Sequence, residues 1–274
     1  MNSFHKAIAD AISKNNNNSS QAWEDVRQFL DMCIKTQPIR IHDNKNEGVF
    51  YHNDMPAVDI SKINQEEGLS YAIFNSREHL NIPKKIIGYE AYLLRQPEQF
   101  LKAQTVKCDL IAYNSDPHDL GLTAIEVKKD PSQENTSLEF GMLQARAYGY
   151  LLTRLHAMEI DSLKKQISYC LKNYYNNDDY DGKIKYISFA LAAPNSYFQK
   201  LLRNNPDIRN FLKPLEEDYF TLGFDGYWVI EEPCDPTYKG HPKKNKCEPI
   251  LDPSSTPNII LCKNFDQLHE RVSQ

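Results

Sequence analysis

The spacing of apolar residues along this chain predicts several amphipathic helices. Residues 1–14 form one candidate, and the apolar positions of residues 21–34 recur every three or four residues. A polar run, Asn15–Ser20, separates the two and offers N-caps for the second helix. The same spacing predicts helices over residues 84–96 and 138–158.

Strand patterns occupy the middle of the chain. Residues 105–114 and 121–129 alternate or run apolar, and the turn-forming sequence SDPHDL separates them, which predicts a hairpin or a looped strand pair. Residues 184–192 are typical of a buried strand beside that pair. Beyond residue 193 the pattern predicts an irregular Pro- and Lys-rich loop together with helices at 196–203, 207–213 and 264–272 and strands at 227–232 and 258–262.

The composition indicates a folded protein, and the net charge does not indicate a nucleic-acid-binding protein. The 274 residues are 41% hydrophobic and 25% charged, which suits one large domain or a core domain with added flanks. The net charge of −5 counts against a nucleic-acid partner, because such proteins usually carry a basic excess. A metal-dependent active site is itself acidic, and a binding cleft can be locally basic on an acidic protein. The net charge therefore does not exclude a nucleic-acid-binding protein.

The chain also lacks the marks of export or membrane insertion. It shows no apolar signal region and no apolar run of about 18 residues. Its six cysteines are too scattered for a disulfide framework. We expect a cytoplasmic protein with reduced thiols and no membrane partner.

The second strand of the predicted hairpin separates its polar from its apolar side chains. Successive side chains on a strand point to opposite faces, so Glu126 and Lys128 share one face while Ile125 and Val127 share the other. The chemistry and the packing of this strand are therefore expected on different sides.

The first strand follows the same rule. Lys107 and Asp109 share a face opposite Cys108 and Leu110, so pairing of the two strands would bring Asp109 beside Glu126. Two adjacent carboxylates repel unless a cation lies between them, and hard divalent cations accept oxygen ligands. The pattern predicts a Mg²⁺ site in which Mn²⁺ can substitute.

Two further groups belong to this hypothesis. The backbone carbonyl of Val127 is a candidate third oxygen ligand of the metal. The ammonium of Lys128, beside the metal, would orient an attacking water or stabilise negative charge that grows on a phosphate.

The order of these residues carries a family resemblance. Asp109, the triplet Glu126-Val127-Lys128, and the helical Gln144-x-x-x-Tyr148 together resemble the PD-(D/E)xK restriction-endonuclease-like superfamily, and the Gln-x-x-x-Tyr element resembles its RecB-like branch. Gln144 and Tyr148 are four residues apart, so they lie on one helix face and can reach the same groove.

The resemblance implies an α/β fold: a central mixed sheet flanked by helices in the order αβββαβ, with N- and C-terminal elaborations. The core would span residues 84–193, between an N-terminal elaboration at 1–83 and a C-terminal extension at 194–274 that packs on the core. It further implies a first strand near 98–104. An acidic residue of the first helix often joins the site, and Glu90 is the candidate for this role, as a fourth metal ligand.

The resemblance also implies a function. The chain would be a Mg²⁺-dependent nuclease acting on DNA rather than RNA, with Asp109 and Glu126 as metal ligands and Lys128 as the catalytic cation. Gln144 and Tyr148 would support the site or hold the nucleic-acid backbone. Endonuclease and exonuclease activity are both compatible with this pattern.

Ordinary explanations exist for the same residues. A lone Glu-x-Lys triplet is most often a solvated strand face, and Glu90 fits the surface of an amphipathic helix. Gln144 and Tyr148 fit the boundary of a packed helix. Elsewhere in the chain, four residues are candidate zinc ligands: Cys234, His241, Cys247 and Cys262. No pair of them has the close Cys-x-x-Cys spacing of structural zinc sites, so we favour a loop without metal.

Two rival hypotheses remain from sequence. The acidic net charge, and the absence of the usual proline before Asp109, favour a nuclease-fold protein that binds nucleic acid as an inactive scaffold. Alternatively, the flanks before and after the core form a surface for a protein partner or a second copy of the chain, and activity needs that subunit.

Overall fold

The structure is a computed structural model, and it describes residues 3–15, 18–36, 58–82, 84–95, 105–114, 120–130, 137–176, 183–205, 207–217, 222–243, 245–252, 254 and 257–273. The helices in these ranges are α1 Ser3–Asn15, α2 Ser19–Thr36, α3 Glu66–Asn75, α4 Leu138–Met158, α5 Ile160–Tyr175, α6 Asn195–Asn204, α7 Ile208–Glu216 and α8 Phe265–Ser273. The strands are β1 Val58–Asp59, β2 Lys85–Arg95, β3 Thr105–Asn114, β4 Gly121–Val127, β5 Tyr186–Pro194, β6 Gly223–Ile230, β7 Thr237–Lys243, β8 Lys246–Ile250 and β9 Ile259–Cys262.

A mixed six-stranded sheet forms the centre of the protein, in the order β2-β3-β4-β5-β6-β9. The pairs β2-β3, β3-β4 and β6-β9 are antiparallel, whereas β4-β5 and β5-β6 are parallel. A parallel neighbour requires a crossover, and the chain supplies it between β4 and β5 through α4 and α5. The protein is therefore α/β, with a central mixed sheet flanked by helices.

Both faces of this sheet are buried. On β4, Ala124 packs in one apolar cluster with Leu143 of α4, whereas Ile125 and Val127 pack in a second cluster with Phe74 of α3. All seven residues of β4 are buried, as expected for a strand between two helical layers. Ile125 and Val127 share one face as predicted, whereas the opposite face, which was expected to carry the chemistry, also packs through Ala124.

The predicted hairpin is confirmed as the antiparallel pair β3-β4, in which Leu110 lies opposite Ile125. One detail of β3 was predicted wrongly. Cys108 and Leu110 were expected on the same face, but they pack in different apolar clusters. The thiol of Cys108 instead turns toward the carbonyl oxygens of Leu110, at 3.1 Å, and Ile125, at 3.6 Å.

The helix predicted over residues 84–96 is wrong, because this segment is strand β2. Ile86 and Tyr89 pack on the α3 side of the sheet, and Ile87 and Leu93 pack on the α4 side. Irregularities in the pairing with β3 interrupt the two-residue period. Because apolar residues lie on both faces and the two-residue period is interrupted, the spacing of apolar residues in this strand resembles that of a helix. The first strand predicted near 98–104 lies outside the described residues.

The long central helix and the C-terminal helices were predicted well. Helix α4 follows Ser137, whose side-chain oxygen accepts a hydrogen bond from the amide of Phe140, so Ser137 is the N-cap of this helix. The irregular loop predicted after β6 instead contains β7 and β8, which form a small sheet with β1 in the order β1-β8-β7. In the described part of the chain, no helix is long and apolar enough to cross a membrane.

Candidate active site

Three carboxylates meet where β3 and β4 pass the first turn of α3. One oxygen of each of Glu66, Asp109 and Glu126 lies within 4.8 Å of the others. Glu126 is fully buried, and the side chain of Glu66 is 31% exposed. The predicted convergence of Asp109 and Glu126 is confirmed, and Glu66 joins them from a helix that the sequence pattern did not reveal.

The register of the hairpin explains the approach of the two strand carboxylates. Asp109 precedes Leu110 and Glu126 follows Ile125, the last paired positions of β3 and β4. A side-chain oxygen of Asp109 accepts a hydrogen bond of 2.8 Å from the amide of Val127. This bond fixes Asp109 at the point where the two strands separate, while the carbonyl of Val127 stays a predicted ligand only.

Lys128 lies inside the carboxylate cluster. Its Nζ is 2.5 Å from Glu126 Oε1 and 3.2 Å from Glu66 Oε1, although the residue is only 4% exposed. Its backbone amide donates to the carbonyl of Ala192, which ties it to the neighbouring strand β5. Burial alone would lower the pKa of Lys128, but the charges of the surrounding carboxylates outweigh burial and hold it above its usual value. Lys128 is therefore a permanent cation.

Gln144 and Tyr148 extend the cluster along α4. Gln144 Oε1 accepts a hydrogen bond from Lys128 at 3.3 Å, and its Nε2 donates to the hydroxyl of Tyr148 at 2.6 Å. Both residues are almost fully buried. A Cβ on Gly141 would lie 3.1 Å from a methyl carbon of Leu191, so glycine at this position lets α4 approach the sheet. The predicted neighbourhood of these helix residues and the Glu-x-Lys triplet is confirmed.

Glu90 lies elsewhere than predicted. It is on β2 rather than on a helix, and its carboxylate forms a 2.8 Å salt bridge with Lys107. Among the described residues, the group of carboxylates close enough to share a cation consists of Glu66, Asp109 and Glu126. The acid that a helix brings to this group is Glu66, and its sequence signal is a glutamate at the start of the apolar run of α3, the helix that precedes β2.

Sequence reasoning also missed His5. Its Nε2 is 3.5 Å from Nε2 of Gln144, and its ring lies edge-on to Phe140 with the ring centroids 5.8 Å apart. Helix α1 therefore reaches the site from the far N-terminal end of the sequence. No local pattern around residue 5 could have revealed this contact.

The donor atoms of this cluster fit a hard divalent cation. Glu126 is fully buried, and neither of its carboxylate oxygens has a hydrogen-bond partner of regular geometry in the described structure, so the lysine contact is an ionic one. Burying carboxylates is costly, and the single ammonium of Lys128 faces three of them, so a divalent cation would balance the negative charge that remains. The three acids offer only oxygen atoms, which Mg²⁺ and Mn²⁺ accept.

The same burial predicts how stability depends on pH. Burial, reinforced by the charge of Glu66, raises the pKa of Glu126 to about 7, and burial beside Glu126 raises that of Asp109. The folded protein therefore keeps protons that the unfolded chain has released. Without metal, the free energy of unfolding should fall between pH 4.5, the ordinary pKa of a glutamate, and about pH 7.

Urea unfolding in EDTA across this range measures the effect. A Glu126→Gln variant cannot titrate at this position and should show a shallower fall. Burial lowers the pKa of His5 and of His156, which acts in the opposite direction, but equally in both proteins. Identical pH slopes in the two proteins would contradict the expected protonation of Glu126.

Comparison with known proteins adds no relative to this description: no family model, no curated protein and no solved structure matches the chain significantly. The geometry of the carboxylates and of Lys128 is therefore the basis for any statement about function.

Proposed function

We propose that this protein is a metal-dependent nuclease that hydrolyses phosphodiester bonds, with DNA as the first substrate to test. One observation carries the proposal: three carboxylates meet within 4.8 Å around a site that also holds a buried lysine, and a Gln-x-x-x-Tyr helix supports that lysine. Each of these groups has a role in phosphodiester hydrolysis.

The order of elements supports the proposal. From α3 the chain continues through β2, β3, β4, α4 and α5 to β5, which is the order αβββαβ with one added helix. This is the arrangement expected of a restriction-endonuclease-like core. If the elements are matched in this order, the core begins at α3 with Glu66, rather than at residue 84.

Glu66, Asp109 and Glu126 would hold the metal ion. Bound there, Mg²⁺ or Mn²⁺ supplies Lewis-acid polarisation of a phosphoryl oxygen and a water of lowered pKa. The hydrogen bond from the Val127 amide keeps Asp109 oriented toward this position. The side chain of Glu66 is 31% exposed whereas Glu126 is fully buried, so substrate would approach from the side of Glu66 rather than from that of Glu126.

Lys128 supplies positive charge rather than a base. Because its raised pKa keeps the ammonium protonated, it has no free electron pair with which to accept a proton from water. When the oxygen of water bonds to phosphorus and releases its proton to solvent, and the bond to the leaving oxygen breaks so that this oxygen takes up a proton from solvent, negative charge grows on the phosphoryl oxygens. A fixed cation beside them stabilises that charge more than it stabilises the substrate. Gln144 holds the ammonium in place through its side-chain oxygen.

A cleavage assay tests the proposal. Purified protein is incubated with single- and double-stranded DNA and RNA in Mg²⁺, in Mn²⁺ and in EDTA, beside a Glu126→Gln variant. We expect cleavage that requires metal and that falls by about 10³-fold or more in the variant, since a ligand of the metal is lost.

Two outcomes would contradict this function. Equal cleavage by wild type and variant would show that the activity does not come from this site. Absence of cleavage on every substrate in both metals would favour the rival hypothesis, an inactive scaffold of the same fold.

A further inference from the structure

Helix α1 contacts both residues of the Gln-x-x-x-Tyr element. The ring of Phe4 stacks on Tyr148 with a centroid distance of 6.0 Å, and His5 reaches Gln144. The imidazole is held between Phe4, at 5.7 Å, and Phe140, at 5.8 Å between ring centroids. The packing of α1 therefore fixes the position of the His5 ring beside the amide of Gln144.

The hydrogen bonds of Gln144 define what His5 must do. A glutamine amide has one oxygen that accepts and two N–H groups that donate, and this side chain is only 4% exposed. The oxygen accepts from Lys128, and one N–H donates to Tyr148. The second N–H points toward Nε2 of His5, 3.5 Å away. This second N–H has a hydrogen-bond acceptor only when Nε2 of His5 is unprotonated and carries a lone pair.

The opposite orientation of the amide is unfavourable. It would turn the NH₂ group of Gln144 toward the ammonium of Lys128, which can only donate hydrogen bonds. Lys128 thus selects the orientation of the amide, and the amide selects the tautomer of His5 with the proton on Nδ1. Burial lowers the pKa of His5, as does the positive charge of Lys128. The neutral ring is favoured at pH 7.

We propose that His5 is a positioning residue: its unprotonated Nε2 accepts a hydrogen bond from Gln144, which keeps the amide oxygen on Lys128 and the ammonium between Glu126 and Glu66. The tautomer follows from the hydrogen bonds alone. The consequence for catalysis rests on the proposed nuclease function. His5 touches neither metal ligands nor substrate in this arrangement, so it acts on the reaction through Gln144 and Lys128.

Nitrogen NMR of ¹⁵N-histidine-labelled full-length protein tests the tautomer. A His5→Ala variant identifies the His5 signals among those of the eight histidines. At pH 7.5 in EDTA we expect a neutral ring with the proton on Nδ1. A proton on Nε2, whether in the other neutral tautomer or in an imidazolium ring, would overturn the inference. This measurement does not depend on any cleavage activity.

Kinetics test the consequence. His5→Ala should lower kcat about tenfold with little change in KM, since one positioning hydrogen bond is lost and no substrate contact is removed. His5→Gln can place an amide oxygen near the former Nε2 and should recover most of the loss. Lys6→Ala, an exposed residue of the same helix, is the control and should resemble the wild type.

The outcomes separate the two proposals. If wild type cleaves and His5→Ala has unchanged kcat, the positioning role is wrong and the nuclease proposal stands. A loss of kcat that His5→Gln does not recover, together with a lower Tm in both variants, would mean that His5 only packs, and this also overturns the inference. If wild type does not cleave at all, the nuclease proposal fails while the tautomer result still decides the hydrogen bond.

Discussion

Lys128→Ala is expected to retain divalent-metal binding and to cleave nucleic acid about 10² to 10³ times more slowly than wild type. Removing one preorganised group that stabilises developing negative charge has effects of this size. The metal ligands stay in place, and the loss of a competing ammonium 2.5 Å from Glu126 should leave metal affinity equal or higher. Cleavage and metal binding should therefore respond in different ways.

The assay for Lys128 compares single-turnover cleavage with Mn²⁺ titration by calorimetry. Lys213→Ala is a matched control, because that lysine lies on α7 and its only described ionic contact is with Glu217 at 3.7 Å. The control should cleave like wild type. Parallel loss of metal binding and cleavage in Lys128→Ala would mean that the lysine maintains the shape of the site instead of acting on the phosphate.

Asp109→Asn is expected to abolish metal binding. Wild-type protein at a metal concentration 100 times Kd should gain about 2.7 kcal/mol of stability, which corresponds to a rise in Tm of about 5 to 10 °C for a chain of this size. Asparagine preserves the shape of the side chain and can still accept the hydrogen bond from the Val127 amide. It removes the negative charge that a cation requires, so the rise in Tm should disappear.

Glu90→Gln is the informative comparison for the metal site. The carboxylate of Glu90 belongs to a salt bridge with Lys107 and lies outside the three-carboxylate group, so its variant should keep the metal-dependent rise in Tm. Glu66→Gln should reduce it. Loss of the rise in Glu90→Gln and its retention in Glu66→Gln would reverse the assignment made from the structure. Thermal unfolding with Mg²⁺, Mn²⁺ and EDTA measures all three variants.

The hairpin and the helix that carry the site could be predicted because their signals are local. β4 shows a regular alternation that places Glu126 on one face and Ile125 on the other, and α4 shows a long apolar stripe with a serine cap. Asp109 and Glu126 lie on adjacent antiparallel strands and Lys128 directly follows the second, so the pairing of the two strands brings the three residues together. Gln144 and Tyr148 follow on the next helix.

Strand β2 could not be predicted in the same way. Both of its faces are covered, and irregular pairing with β3 breaks its two-residue period. A strand with apolar residues on both sides and a shifted phase resembles an amphipathic helix in sequence. Glu90 was therefore expected on a helix, whereas the helix that precedes the central sheet is α3, which begins with Glu66.

The sequence by itself determined the chemistry of the central cluster: two carboxylates and a lysine on a hairpin, followed by a glutamine and a tyrosine one helical turn apart. Those residues are near one another along the chain, so local periodicity specifies which of their side chains share a face. Only the tertiary structure decided that Glu66 and His5 belong to the same site. Their contacts join segments far apart in the chain, and such contacts depend on how α3 and α1 pack against the sheet and α4. The same packing buries Glu126 and Lys128. This burial raises the pKa of Glu126 and places Lys128 among carboxylates.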